Sequence, residues 1–392
     1  MKNTVLFSAA LTILLFSCSK ENQTVQQPMN PAIDGQYIVT FKDNASLKIN
    51  ASLPYAQKQD VVSTHASRMF NDAGIKNFTI KYTYAVALKG ITVKLSSQDV
   101  EKLRNNADVL SIESDKVIAL GPVETQGGKP GGGSTQPAQS TPWGITRVGG
   151  ALDGTGKTAW IIDTGVDLTH PDLSVDVSRS KSFLTGSPSA LSPNDENGHG
   201  THVAGTIAAL NNTIGVVGVA PGAKVVAVRV LGKTGSGTTS GVIAGIDYVA
   251  QNAAPGDVAN MSLGGGVSTS LDNAVINAAS LGIKFALAAG NETDDAANHS
   301  PARVNAPNVY TVSAIDVNDV FASFSNYGAG VDYAAPGVAV LSCWKGGAYN
   351  TISGTSMATP HMAGLLLSGN PINSGGTAIN DPDGNPDVIA HR

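Results

Sequence analysis

Apolar residues recur in two rhythms along this chain, and the change of rhythm divides it. Residues 36–41, 78–87, 91–95 and 109–119 alternate or run apolar over strand-like lengths, while residues 58–73 and 97–106 are helix-compatible. The second of these helices opens on Ser97 and carries Asp99 and Glu101 in its first turn, where carboxylates oppose the positive end of the helix dipole. The order strand, helix, strand, strand, helix, strand predicts a small α+β unit of the split-βαβ kind over residues 35–120. From residue 142 the rhythm changes. Nearly continuous Val, Ile and Ala runs at 158–162, 225–230, 258–263, 283–288 and 309–315 alternate with helix-like stretches at 199–210, 239–252, 270–280 and 356–367. Strands apolar on both sides and separated by helices predict an α/β domain whose mainly parallel sheet is covered by helices on both faces.

Between the two units, residues 121–141 include the run GGKPGGGS, which cannot bury apolar surface and reads as a flexible linker holding a processing site. Residues 19–34 are polar and read as a tether. Ahead of them Lys2 precedes an apolar run over residues 5–16, the proportions of an export signal and too short to span a bilayer comfortably. That run ends Leu15-Phe16-Ser17-Cys18, which resembles the bacterial lipoprotein box, where the Cys is acylated and becomes the first exported residue. Residues 1–18 are then a lipoprotein signal; the other reading is an ordinary secretory signal with an incidental Cys. Export follows from either. Past residue 367 the chain turns rich in Gly, Asn and Pro, which leaves open how the domain of residues 142–392 closes.

Composition narrows the function classes. With 42% hydrophobic and 14% charged residues among 392, disorder is excluded as the dominant state. A net charge of −5 excludes a general nucleic-acid binder, which needs a basic face. Two cysteines, Cys18 and Cys343, make neither a disulfide framework nor a four-cysteine zinc site.

Three segments carry candidate chemistry. In Ile161-Ile162-Asp163-Thr164-Gly165 an acid ends a buried strand, at the carboxyl edge where open α/β sheets gather ligands. Gly198-His199-Gly200-Thr201-His202 places a glycine-flanked His at a helix start, and Gly354-Thr355-Ser356-Met357-Ala358 does the same for a Ser. Asp, His and Ser in that order supply an orienting carboxylate, a general base and a nucleophile. Each alone also reads as a cap. His199 and His202 lack the intervening Glu of a zinc protease. The stretch Ala151 to Thr158 mimics a relaxed phosphate loop but runs into a strand rather than a helix. Position 358 is Ala, so the nucleophile elbow of the α/β-hydrolases is absent. Cys343 reads as a buried small residue.

Together these segments resemble the subtilases, the subtilisin-like serine proteases, from residue 142 to about residue 367. In finer detail they are similar to the proteinase K-like branch, whose mature N-terminus Pro142-Trp143-Gly144-Ile145 resembles. Residues 36–119 resemble the propeptide of such enzymes. The resemblance implies a ferredoxin-like propeptide domain ahead of a subtilisin-like catalytic domain. It implies an exported, self-processing serine endopeptidase acting through Asp163, His199 and Ser356 and an acyl-enzyme. Asn291, closing Leu287-Ala288-Ala289-Gly290-Asn291, is then the oxyanion donor. Ser262, Leu263, Gly264 and Gly265 would line the substrate groove, adding a peptide as a strand. With Ala288, Ala289 and Gly290 they would bound a roomy, apolar, permissive first pocket. A structural Ca²⁺ is expected on the backbone oxygens of Pro307 and Val309 and the carboxylate of Asp332, an oxygen-only set. The expected partners are polypeptide substrates and the chain's own propeptide, with no nucleic acid. A membrane enters only through the Cys18 lipid of the precursor, and the mature domain is a secreted or periplasmic monomer. The competing class is a lipoprotein that binds peptides without cutting them, and the intact Asp, His and Ser set argues against it.

Overall fold

The computed structural model describes residues 31–43, 46–121, 124–125 and 136–392; the signal, Cys18 and most of the tether and linker lie outside the described residues. Among the described residues no helix is long and apolar enough to cross a membrane.

The N-terminal unit has the predicted order: β1 (Ala32–Phe41), α1 (Tyr55–Asp72), β2 (Thr79–Tyr84), β3 (Gly90–Lys94), α2 (Ser97–Arg104) and β4 (Val109–Ala119). Its antiparallel sheet runs β2-β3-β1-β4. Ser96, one residue before α2, caps that helix by accepting the Asp99 N–H. The two sides of β1 explain its unbroken apolar run. Val39 joins Ile91, Val93, Phe70 and Leu103 in the unit's own core. Ile38 points the other way, with Tyr84 and Ile118, into a core shared with the larger domain. Each such side chain, fully buried, contributes about 1.5–3 kcal/mol, so the sheet is a docking face as well as a scaffold.

The larger domain is built on nine strands in the order Asn373–Thr377, Val388–His391, Tyr333–Pro336, Val309–Ile315, Lys284–Ala288, Val258–Met261, Thr158–Asp163, Lys224–Arg229 and Lys181–Ser182. Every neighbouring pair is parallel except the first. Along Thr158–Asp163, Ala159 and Ile161 face a core shared with helices His199–Ala208 and Thr355–Leu367. Trp160 and Ile162 face the opposite core, shared with helices Thr239–Asn252 and Thr269–Ala279. Burial on both faces is why these strands lack alternation.

The C-terminal stretch closes the domain as a hairpin, Asn373–Thr377 with Val388–His391, laid on the sheet edge at Ala334↔Ile389. The Arg147 guanidinium clamps it, donating to Asp319 at 2.7 and 3.0 Å and to the Gly375 carbonyl at 3.0 Å. Residues ahead of Pro142 are also docked: Ser140 N–H donates to Gly215 O and Gln139 N–H to Thr213 O.

The N-terminal unit sits on the helices Thr239–Asn252 and Thr269–Ala279, and alternate carboxylates of β4 cap both of their N-termini. Glu113 accepts the Ser270 N–H at 3.0 Å; Asp115 accepts the Ser240 N–H at 3.0 Å and its hydroxyl at 2.6 Å. In return the helix residue Asp247 accepts the Ala85, Val86 and Ala87 N–H groups and the Tyr55 hydroxyl. Beyond these contacts β4 continues as an added strand beside Ser236–Thr238, pairing Val117↔Thr238, Ile118↔Gly237 and Ala119↔Ser236.

Candidate active site

Asp163 ends its strand at the carboxyl edge of the sheet and is fully buried. Its carboxylate receives the His199 Nδ1 at 2.8 and 3.0 Å and the Thr164 N–H at 2.6 Å. The buried ion needs these donors. His199 is held on the first turn of a helix that comes down on the acid loop: a methyl on Gly200 would lie 2.0 Å from the Gly165 carbonyl oxygen. Gly is therefore required there. The turn before the helix is tied by Asp195, whose buried carboxylate accepts from the Asn197, Gly198 and Thr201 N–H groups and the Thr201 and Thr164 hydroxyls. With Nδ1–H donated to Asp163, Nε2 carries the free lone pair, and that buried atom has no partner among the described residues.

Ser356 is in the first turn of Thr355–Leu367, which packs against the His199 helix. Pro360 lies four residues later in the same helix and has no N–H to give to the Ser356 carbonyl. The Ser262 hydroxyl takes that place, donating to Ser356 O at 2.9 Å, while Ser356 Oγ donates to Ser262 O at 3.1 Å. The Ser356 hydroxyl is thus held by the Ser262 carbonyl rather than by His199. Asn291 is fixed through its carbonyl oxygen, which accepts from Thr355 N–H and Oγ1–H, both at 2.9 Å. Its Nδ2 is thereby directed to the groove, 3.2 Å from where a methyl on Gly121 would stand.

Ala119 bridges antiparallel to Gly264, so the end of the N-terminal unit lies in the groove between two strands of the larger domain. One pocket gathers Ala119 and Gly121 with Ser262, Leu263, Gly264, Gly265, Ala288, Ala289, Gly290, Asn291 and Ser356. The backbone of Glu124–Thr125 pairs with Ser353 and Ile352, just before Ser356.

The Subtilase family model matches residues 154–373, and a Peptidase inhibitor I9 model matches residues 36–120. The chain belongs to the subtilase family. Relatives include Alkaline serine exoprotease A of Vibrio alginolyticus, 40% identical over 349 residues that make up 86% of this chain and 61% of that protein. Alkaline serine protease ver112 of Corniculantispora psalliotae is 39% identical over 85% of this chain and 79% of its own length. The subtilisin-like serine protease AsES of Sarocladium strictum is 44% identical over 73% of this chain and 71% of its own. The crystal structure of a cold adapted subtilisin-like serine proteinase superposes with a TM-score of 0.56 at 44% identity, covering 64% of this chain and 97% of that one. This chain is a subtilisin-like serine protease with an I9 propeptide domain.

The end of the N-terminal unit occupies the subtilase pocket formed by the groove's small residues. The pocket's free volume is about 30 Å³ with the propeptide end in place, and Glu292 and His299 join the lining. His299 contacts Asp294 at 3.1 Å and Glu292 at 3.8 Å. No motif marked these two: Glu292 directly follows the Leu287–Asn291 segment, and folding of the next turn brings His299 beside it. His202 and His361 have no polar duty at the site. Burial pushes them down to about 3 and about 4, and each spends one ring nitrogen on a backbone carbonyl, Val340 O and Met357 O respectively. Cys343 is buried among apolar neighbours, and burial raises its thiol pKa.

Of the expected calcium ligands, Asp332 lies beside the strand that begins at Val309: its Oδ2 accepts the Thr311 N–H at 2.8 Å. Burial raises its carboxyl pKa, the behaviour of a carboxylate short of counter-charge. Among the described residues no three acidic, His or Cys side chains gather as a metal cluster, so any cation here would rely on backbone oxygens.

Proposed function

We propose that this subtilase is an exported endopeptidase made as a self-processing precursor, with Asp163, His199 and Ser356 as its catalytic triad. The observation carrying this reading is the propeptide end lying antiparallel to Gly264 with Gly121 at Asn291, the posture of a substrate strand. Ser356 Oγ leaves Ser262 O, gives its proton to His199 Nε2 and attacks the scissile carbonyl carbon. The tetrahedral oxyanion is received by Asn291 Nδ2 and the Ser356 N–H, a helix-terminal donor free of intrahelical duty. His199 then passes the proton to the leaving amine, and water repeats the cycle on the acyl-enzyme. Asp163 holds the tautomer and stabilises the imidazolium.

Residues 1–18 are read as a lipoprotein signal with acylation at Cys18, so the precursor is membrane-tethered and processing frees a soluble catalytic domain. Names such as Extracellular serine proteinase of Thermus sp. (strain Rt41A), 39% identical, support export. Calcium, if bound by Asp332 with the carbonyl oxygens of Pro307 and Val309, supplies structural cross-linking and no step of the chemistry. The decisive experiment expresses the full chain with and without Ser356→Ala and weighs the products. Wild type is expected to appear as two fragments and the variant as intact precursor; self-processing at the normal rate in the variant overturns the triad. Fractionating Cys18→Ala tests the anchor, and melting with and without chelator, in wild type and Asp332→Asn, tests the cation.

A further inference from the structure

Asn291 sits in an awkward stretch of backbone. Gly290 before it has φ +110° and Thr293 after it has φ +56°, so neither helix nor strand hydrogen bonding holds the turn. What holds it is a side chain from another part of the chain. Asn326 is fully buried, and its amide uses every hydrogen-bonding position it has on residues flanking Asn291. Nδ2 donates to Ala289 O at 3.0 Å and to the Glu292 carboxylate at 2.7 Å. Oδ1 accepts from the Glu292 and Asp294 N–H groups, each at 3.0 Å. Its own backbone N–H donates to Gly290 O at 3.0 Å. The packing is close enough that a methyl on Gly290 would meet Asn326 Nδ2 at 2.2 Å.

We infer that Asn326 is a positioning residue for the oxyanion site: it grips both sides of Asn291 so that the Asn291 amide needs no reorganisation as charge develops. This rests on the proposed role of Asn291. The grip is separable from folding, because the surrounding loop keeps other ties, Thr293 N–H to Phe324 O and Ala296 N–H to Tyr327 O. A donor aimed at the transition state is worth roughly 10²–10³ in kcat, a range drawn from this same family. Misplacing it forfeits a part of that, so Asn326→Ala is expected to slow the chemical step by about ten- to a hundredfold. A residue acting through Asn291 has nothing further to lose once Asn291 is gone.

The test uses the full-chain precursor and reads the first-order rate of self-processing, in which the propeptide end already occupies the groove. Four proteins are compared: wild type, Asn326→Ala, Asn291→Ala and the double variant, with melting temperature recorded for each. Both single variants are expected to process slowly, with the double variant within about threefold of Asn291→Ala. On a peptide substrate the loss in Asn326→Ala is expected in kcat, with KM within about twofold. Equal slowing by Asn326→Ala in both backgrounds, or a loss carried by KM, overturns the inference. If Asn291→Ala alone processes at the normal rate, the role of Asn291 fails instead. Should Asn326→Ala not accumulate folded, Asn326→Ser, which shortens the amide to one hydroxyl, takes its place in the same comparison with the same expectations.

Discussion

Asp272 makes propeptide release depend on pH in a direction the fold decides. It stands in the first turn of Thr269–Ala279, whose N-terminus the propeptide covers with Glu113. Burial first, and then the Glu113 charge, push its carboxyl up to about 6, against relief from Ser300 and Arg303. The Arg303 contact is long, 3.6 Å, and on the Arg side well exposed. Asp272 Oδ1 and Glu113 Oε1 are each buried without a partner among the described residues. A carboxyl whose pKa is raised in the complex holds the complex together fully below its ordinary value and loosens it as pH rises through about 6. The shift is mostly burial, and Glu113, the propeptide's own charge, is the smallest of its named causes. Only the part lost on release counts, so about 0.5–1 kcal/mol, two- to fivefold in affinity, is the working range. The perturbation is Asp272→Asn, which removes the titration and keeps the shape. Separately prepared propeptide is titrated as an inhibitor of processed enzyme from pH 4.5 to 8. Wild-type inhibition is expected to weaken by that factor across the range, and the variant to hold its propeptide more tightly than wild type at pH 8. Superimposable pH profiles for the two enzymes would refute the reasoning.

Other perturbations test neighbouring parts of the structure. Asp247→Asn leaves backbone donors of the propeptide facing an amide, and truncating such a buried charged acceptor costs about 2–5 kcal/mol; propeptide inhibition is expected to weaken by at least about thirtyfold. Asp387, in the C-terminal hairpin and pushed up to about 7 by burial and by Asp381, Asp383 and Asp332, accepts from Ser313 of the strand Val309–Ile315 at 2.6 Å. Its raised pKa means stability present near pH 4 and lost as pH rises through about 7. Scanning calorimetry should find melting falling over that interval, by about 2–4 °C per kcal/mol, and Asp387→Asn should flatten the fall. Asp163→Asn is expected to lower kcat by about 10⁴, the cost of the same substitution in an unrelated triad fold, measured on a peptide amide; a loss under tenfold would remove Asp163 from the triad.

The sequence alone determined the architecture and marked the candidate reactive groups, because both are written locally. Unbroken apolar runs such as residues 158–162 cannot sit on a half-exposed sheet, so burial on both faces and a parallel order followed. Asp163, His199 and Ser356 each lie where a strand ends or a helix begins, amid small residues that permit close approach. Tertiary structure decided what depends on partners distant in the chain. Asn373–Thr377 is NSGGT, poor in strand propensity, and is a strand only because it pairs with Val388–His391, which lies on the sheet edge. Glu113 and Asp115 look like the solvent face of β4 until two helix N-termini are laid against them. Glu292 and His299 carry no motif, and Asn326, within the run Ser323-Phe324-Ser325-Asn326-Tyr327-Gly328, shows its role only when that run folds under Gly290 by contacts some thirty residues away. Local pattern selects which segments become strands and helices. Which polar atoms end up facing one another is settled only when those segments close into one body and each buried donor must find its acceptor.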